Sequence, residues 1–183
     1  FDSFMRCLEA VIHAHDRHTG IVRRIQHYLP EEFSNGILSG SDLNVSRTGY
    51  LLMLDIRNST KIANIIGADD WLAIIHQISP EVRARTQSSG GETIKIVWDA
   101  FYVIFESASE DADLLRKIFS ISKQLNDFIA DVLVVHGLTI GSREGTRVCL
   151  EYGDISTGIH DGSYTVVGAV MANINKLEQE SKK

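Results

Sequence analysis

The run YLLMLDI, Tyr50–Ile56, constrains the fold more than any other part of the chain. Successive side chains of a strand point to opposite faces of its sheet. A strand made of this run therefore shows apolar groups on both faces, which suits a central strand covered on both sides. Asp55 is the exception. It is a carboxylate near the end of the run, and an unpartnered carboxylate is costly to bury. "NST" follows at 58–60 and offers a cluster of helix N-cap residues.

Apolar periodicity places the other elements around this strand. A helix is predicted over residues 4–29, a short one at "PEEFSNGIL" with Pro30 in its first turn, and a polar connector at "SGSDLNVSRTG". Another helix is expected from about Thr60 to Thr86, broken near "GADD" and ended by "SSGG". Thr93–Val97 and Phe101–Phe105 read as a hairpin turning at Trp98, Asp99 and Ala100. An amphipathic helix follows, capped by Ser109 or Asp111. Strands are expected at 138–140, 148–152 and 164–167, and a last helix at 169–181. Helices intersperse with strands and two strands are adjacent, which points to an α+β sandwich of ferredoxin-like kind. There is no GxGxxG and no Walker A lysine.

The hairpin holds a second aspartate, Asp99. If adjacent antiparallel strands bring Asp55 and Asp99 to one edge, their carboxylates repel and call for a cation. An oxygen-only set of this kind suits Mg²⁺ or Mn²⁺. Two such ions roughly 3.5–4 Å apart would serve phosphoryl transfer. The plainer alternative makes Asp55 a cap and Asp99 a turn residue.

Composition narrows the function. A chain of 183 residues with net charge −6 speaks against a broad nucleic-acid or anionic-membrane surface. Cys7 and Cys149 stand far apart, which suits a reducing compartment rather than a disulfide framework. No apolar run reaches the ~18 residues of a membrane span, and no signal-peptide pattern opens the chain at Phe1. A cytoplasmic location is expected, with no nucleic acid and no membrane as partner. His13, His15 and His18 read as a solvated helix face rather than a zinc site.

Three segments, "LLMLDIRNSTKIAN", "GGETIKIVWDAFYVIFE" and "VCLEYGDISTGI…SYTVVGAVMANINKLEQ", resemble the signature segments of class III nucleotidyl cyclases, in that family's order. The resemblance runs from about Tyr28 to Lys183. It implies an α+β, ferredoxin-like βαββαβ sandwich: a catalytic domain over 46–183, preceded by a helix and connector over 1–45. It also implies two Mg²⁺ or Mn²⁺ ions per active site, held by Asp55, Asp99 and the Ile56 carbonyl. The 3′-hydroxyl of a nucleoside triphosphate attacks the α-phosphorus and pyrophosphate leaves. Backbone N–H groups of Asn58, Ser59 and Thr60 would face the phosphates. Lys95 and Thr165 would contact the base. The family's active site forms between two subunits, so a homodimer is implied.

Three departures bear on the substrate. Trp98 stands where the family has glycine. It either narrows the nucleotide pocket or points into the core. A narrower pocket suits a smaller base, as in the pyrimidine cyclases of antiphage signalling, which make cyclic UMP or cyclic CMP. The family's Asn-x-x-x-Arg becomes Ala172 and Lys176. Lys176 keeps the charge without the bidentate fork, and Asn175 is the nearest substitute for the lost asparagine. Lys95 with Thr165 is an adenine-selecting pair. The expectation is a nucleotidyl cyclase with UTP or CTP favoured. An adenylate cyclase, or a weak or inactive cyclase-like binding module, is the alternative.

Overall fold

A computed structural model describes residues 44–138, 145–160 and 163–181 of the chain. In order these form β1 (Val45–Ile56), α1 (Ser59–Ile66), α2 (Ala68–Ser88), β2 (Glu92–Val97), β3 (Ala100–Glu106), α3 (Ala112–Val135), β4 (Thr146–His160), β5 (Ser163–Val167) and α4 (Ala169–Glu180). The helices expected at 4–29 and at "PEEFSNGIL" lie outside the described residues.

The strands make one sheet in the order β2-β3-β1-β4-β5, with every neighbouring pair antiparallel. The first four strands, with helices after β1 and β3, give the ferredoxin-like βαββαβ arrangement. β5 and α4 extend it.

β1 is central, as its apolar run requires. Leu52, Leu54 and Ile56 enter a core with Phe101, Val103 and Phe105 of β3 and the apolar faces of α2 and α3. Leu51 and Met53 enter a second core with Ile94, Tyr102, Ile104, Cys149, and Val170 and Ile174 of α4. The alternation along one strand thus feeds both layers. Asp55 follows in the second series, on the face that α4 covers.

The boundaries differ from the sequence-based reading in three places. β1 begins at Val45, so half of the expected connector is strand. Arg47 supports this: its guanidinium, almost fully buried, pairs with Glu106 on the adjacent β3 and with Glu92 on β2 beyond it. β4 is fifteen residues long, not five. It matches β1 residue by residue from Thr146↔Ile56 to Thr157↔Val45. Leu138 lies in no strand, and 139–140 lie outside the described residues. The helix after β1 does break at "GADD", at Gly67 with φ 94°.

The cap at α3 is Asp111. Its carboxylate accepts from the N–H groups of Asp113 at 2.8 Å and Leu114 at 3.2 Å. At α1 the expectation of a side-chain cap fails. Asn58 is the cap residue, but it sits in the left-handed region, φ 60°, and makes no side-chain cap bond. Asparagine tolerates that conformation better than most residues. Its side chain therefore leaves the first amides of the helix uncapped.

Candidate active site

Three strands bring the acidic residues to one end of the sheet. Asp55, near the end of β1, stands opposite Ala100 of β3 and Arg147 of β4. The β2–β3 hairpin turns in two residues, Trp98 and Asp99. The Asp99 carbonyl accepts the Ile56 N–H at 3.2 Å. That bond ties the hairpin tip to the end of β1, so Asp55 and Asp99 occupy the same edge. The backbone brings both residues to the one edge at which the sequence places them.

Asp55 is 14% exposed in its side chain and forms an ion pair with Arg147, itself 12% exposed. The same Arg147 Nη1 lies 3.3 Å from Glu178 Oε1 on α4. Arg147 Nε is buried and makes no hydrogen bond among the described residues. The arginine is held in place by the start of β4. Asn126 Oδ1, on α3, accepts from the Thr146 N–H at 2.8 Å and from its hydroxyl at 3.2 Å. On the other side the Arg57 N–H donates to the Gly145 carbonyl at 3.0 Å. Gly145 is obligatory here: its φ is 100°, and a Cβ would lie 2.2 Å from Asn126 Oδ1.

The field at this end is negative. Burial raises the Tyr102 phenol pKa above its ordinary value, and Asp55, Glu178 and Asp99 push it further in the same direction. Cys149 is likewise raised, first by burial and then by Glu178, against a lowering by Arg147.

The donor set suits a hard divalent cation. Two carboxylates and the Ile56 carbonyl at one strand end supply oxygen alone. The Asp55 carboxylate is already paired with Arg147. Among the described residues no three His, Cys, Asp or Glu side chains cluster as a metal site, at this edge or elsewhere.

A cavity of about 590 Å³ opens beside Asp99, lined by Ser59 and Thr60 of α1, by Asp69, Trp71 and Leu72 of α2, and by Trp98. Ser59 and Thr60 thus line the same cavity as Asp99. Trp98 forms its outer wall. It is 84% exposed, which excludes the alternative that it points into the core. Its φ of 58° lies in the left-handed region where glycine is favoured and a bulky residue is strained.

The remaining expected residues are more scattered. Lys95 lies on β2 beyond a bulge that shifts the register between Thr93 and Lys95, and it stands across from Tyr102. Thr165 lies on β5 opposite Gly158. Ala172, Asn175 and Lys176 are on the exposed side of α4. Glu178, which faces Asp55 of its own chain through Arg147, lies two residues or ~200° around the helix from Lys176. Lys176 therefore points away from its own chain's aspartates. Asn173 is engaged elsewhere, donating to Glu151 at 2.8 Å. Asp154, an acidic position without an expected role, accepts from the Thr48 hydroxyl at 2.7 Å and joins β4 to β1.

Arg147, Glu178 and Tyr102 were not foreseen as members of this site. A cross-strand signal was present, since Met53↔Cys149 and Asp55↔Arg147 follow from one register, but fixing that register needs the full length of β4.

No family model and no curated protein matches the sequence. Solved structures do. The chain is similar to the adenylyl cyclase CyaB from P. aeruginosa, with TM-score 0.61 and 18% identity, covering 75% of this chain and 74% of that one. It is similar to the guanylyl cyclase Cya2, with TM-score 0.60 and 15% identity over 75% and 72%. A bacterial light-regulated adenylyl cyclase gives TM-score 0.68 and 16% identity, covering 96% of this chain and 52% of that longer one. The fold is that of these catalytic domains.

Proposed function

We propose that, on this fold, the protein is a metal-dependent nucleotidyl cyclase that converts a nucleoside triphosphate to its 3′,5′-cyclic monophosphate and pyrophosphate. One observation carries the reading: the Ile56 N–H to Asp99 carbonyl bond, with the Asp55↔Ala100 register, brings two aspartates to one edge. Asp55, Asp99 and the Ile56 carbonyl would hold two Mg²⁺ or Mn²⁺ ions. When bound, these would acidify the 3′-hydroxyl and hold the triphosphate.

The chain's own groups do the rest. The first amides of α1, at Ser59 and Thr60, bind phosphate oxygens at a helix N-terminus that no side chain caps. The 3′-oxygen forms a bond to the α-phosphorus as the bond to the bridging oxygen breaks. Its proton leaves to solvent and the charge leaves on pyrophosphate. Lys176 neutralises charge that develops in that step, and Asn175 orients the ribose. Lys95 and Thr165 select the base.

The site is completed by a second copy of the chain. The exposed placement of Lys176, turned away from its own aspartates, supports a role across a dimer interface. UTP or CTP is the favoured substrate because Trp98, where the family has glycine, adds a large rigid ring beside Asp99, and a narrower nucleotide pocket would suit a smaller base. A signalling role in antiphage defence accompanies that choice by resemblance alone. ATP is the second reading, favoured by Lys95 with Thr165.

Incubation with Mn²⁺ and each of ATP, GTP, CTP and UTP, with products identified by mass spectrometry, tests this. A cyclic product is expected, reduced at least ~10²-fold in Asp99→Asn, since a ligand of the reacting centre is lost. No cyclic product from any of the four, with the protein folded and dimeric, refutes the reading. A wide preference for ATP refutes the pyrimidine choice.

A further inference from the structure

Tyr102 has a place in the site that the proposed reaction does not use. It is the Cα partner of Lys95 on β2 and of Met53 on β1. Residues directly opposed across two strands share one face of the sheet, their Cβ atoms about 5 Å apart. Asp55 pairs with Ala100, two residues before Tyr102. Asp55 is thus a diagonal neighbour of Tyr102 on that same face, at about 7–8 Å. Tyr102 stands between a residue proposed to contact the base and a carboxylate proposed to hold the ions.

The side chain is divided between two environments. Its ring packs in the second core with Met53, Ile104, Val170 and Ile174, and only 8% of the residue is exposed. The hydroxyl makes no hydrogen bond among the described residues, and it is not one of the unpartnered polar atoms sealed from solvent. The exposed part of Tyr102 therefore includes its oxygen. A buried ring with an open O–H suits an aromatic residue whose polar end meets a partner. Burial, and then Asp55, Glu178, Asp99 and Cys149, raise the pKa of the phenol. It stays protonated at neutral pH and keeps a proton to donate.

We propose that Tyr102 is a specificity residue: its hydroxyl donates a hydrogen bond to a carbonyl oxygen of a pyrimidine held at Lys95 of its own chain. The inference rests on the nucleotidyl cyclase reading and deepens it by naming a group that tells a pyrimidine from adenine. Uracil and cytosine both carry a ring carbonyl, and adenine carries none. A donor placed for a carbonyl is left unpaired by a base without one, which is how a site built around a hydrogen bond discriminates.

The test is kcat/KM of Tyr102→Phe with Mn²⁺ and each of UTP, CTP and ATP. Phenylalanine keeps the ring in the core and changes no charge at neutral pH. The ratio of kcat/KM for UTP over ATP is expected to fall about tenfold, as is that for CTP over ATP, the size of one hydrogen bond at a desolvated site. A packing role or an ion-site role lowers all three values by one factor and leaves both ratios unmoved. Should Tyr102→Phe fail to fold, Tyr102→Met fills the core without a hydroxyl and is expected to move the ratios in the same direction. Cyclic products from the wild type with ratios unmoved in the folded variant overturn the base contact and leave the cyclase reading standing. No cyclic product from the wild type with any nucleotide refutes the cyclase reading, and the base contact falls with it.

Discussion

Trp98 is the residue at which sequence and backbone disagree most. A non-glycine side chain in the left-handed region costs roughly 1–2 kcal/mol, and a glycine there gives back about 0.5–1 kcal/mol through its freer unfolded chain. The ring is 84% exposed, so little packing offsets the strain. Trp98→Gly is thus expected to stabilise the fold by about 0.5–1 kcal/mol, raising the midpoint of thermal unfolding by about 2 °C. A tryptophan that costs stability at the tip of a hairpin fits a role in the cavity it walls. The same variant is therefore expected to relax the choice of base, read as the ratio of cyclic products from UTP, CTP and ATP. An unchanged ratio with raised stability would make the strain unrelated to substrate choice. Asp55 and Asp99 were legible from sequence because each interrupts an apolar strand. Arg147 was not, because a lone arginine before "VCLEY" has no local feature that marks it.

At the scale of elements, the legible parts were those whose pattern is local. The apolar run of β1 and the apolar positions of α2 and α3 repeat at strand or helix spacing, and each formed where expected. The cap of α3 was also legible as one of two candidates, and Asp111 takes it with two amide bonds. Asp111→Ala is expected to cost about 1 kcal/mol of stability, measured by urea unfolding. A loss below a few tenths would mean that the cap is replaced by water or by Ser109. The strands β1 and β4 were underread for one shared reason. Their outer halves, Val45–Gly49 and Gly153–His160, are polar or glycine-rich, and their pairing comes from each other. Thr48 to Asp154 and Arg47 to Glu92 and Glu106 replace the apolar contacts that propensity looks for. No short window of sequence contains both members of such pairs.

For the whole molecule, a site shared between subunits has a consequence that a site within one chain lacks. Asp99→Asn and Lys176→Ala would each disable both sites of a symmetric dimer. Mixed in equal amounts, with exchange, half of the dimers carry one of each. Each of these holds one intact site, so roughly a quarter of wild-type activity returns. Activity that stays at the level of the separate variants would place Lys176 in the same chain's site and contradict the exposed placement of its helix face. Among the described residues no helix is long and apolar enough to cross a membrane.

The double burial of β1 bears on how such a protein is re-engineered. The strand that carries Asp55 belongs to both cores, so a change in it disturbs both layers at once. Trp98 at the hairpin tip and the outward side of α4 belong to neither. New substrate preference is therefore best sought by diversifying these peripheral positions while β1 is held fixed, because they vary without dismantling the scaffold that holds the carboxylates.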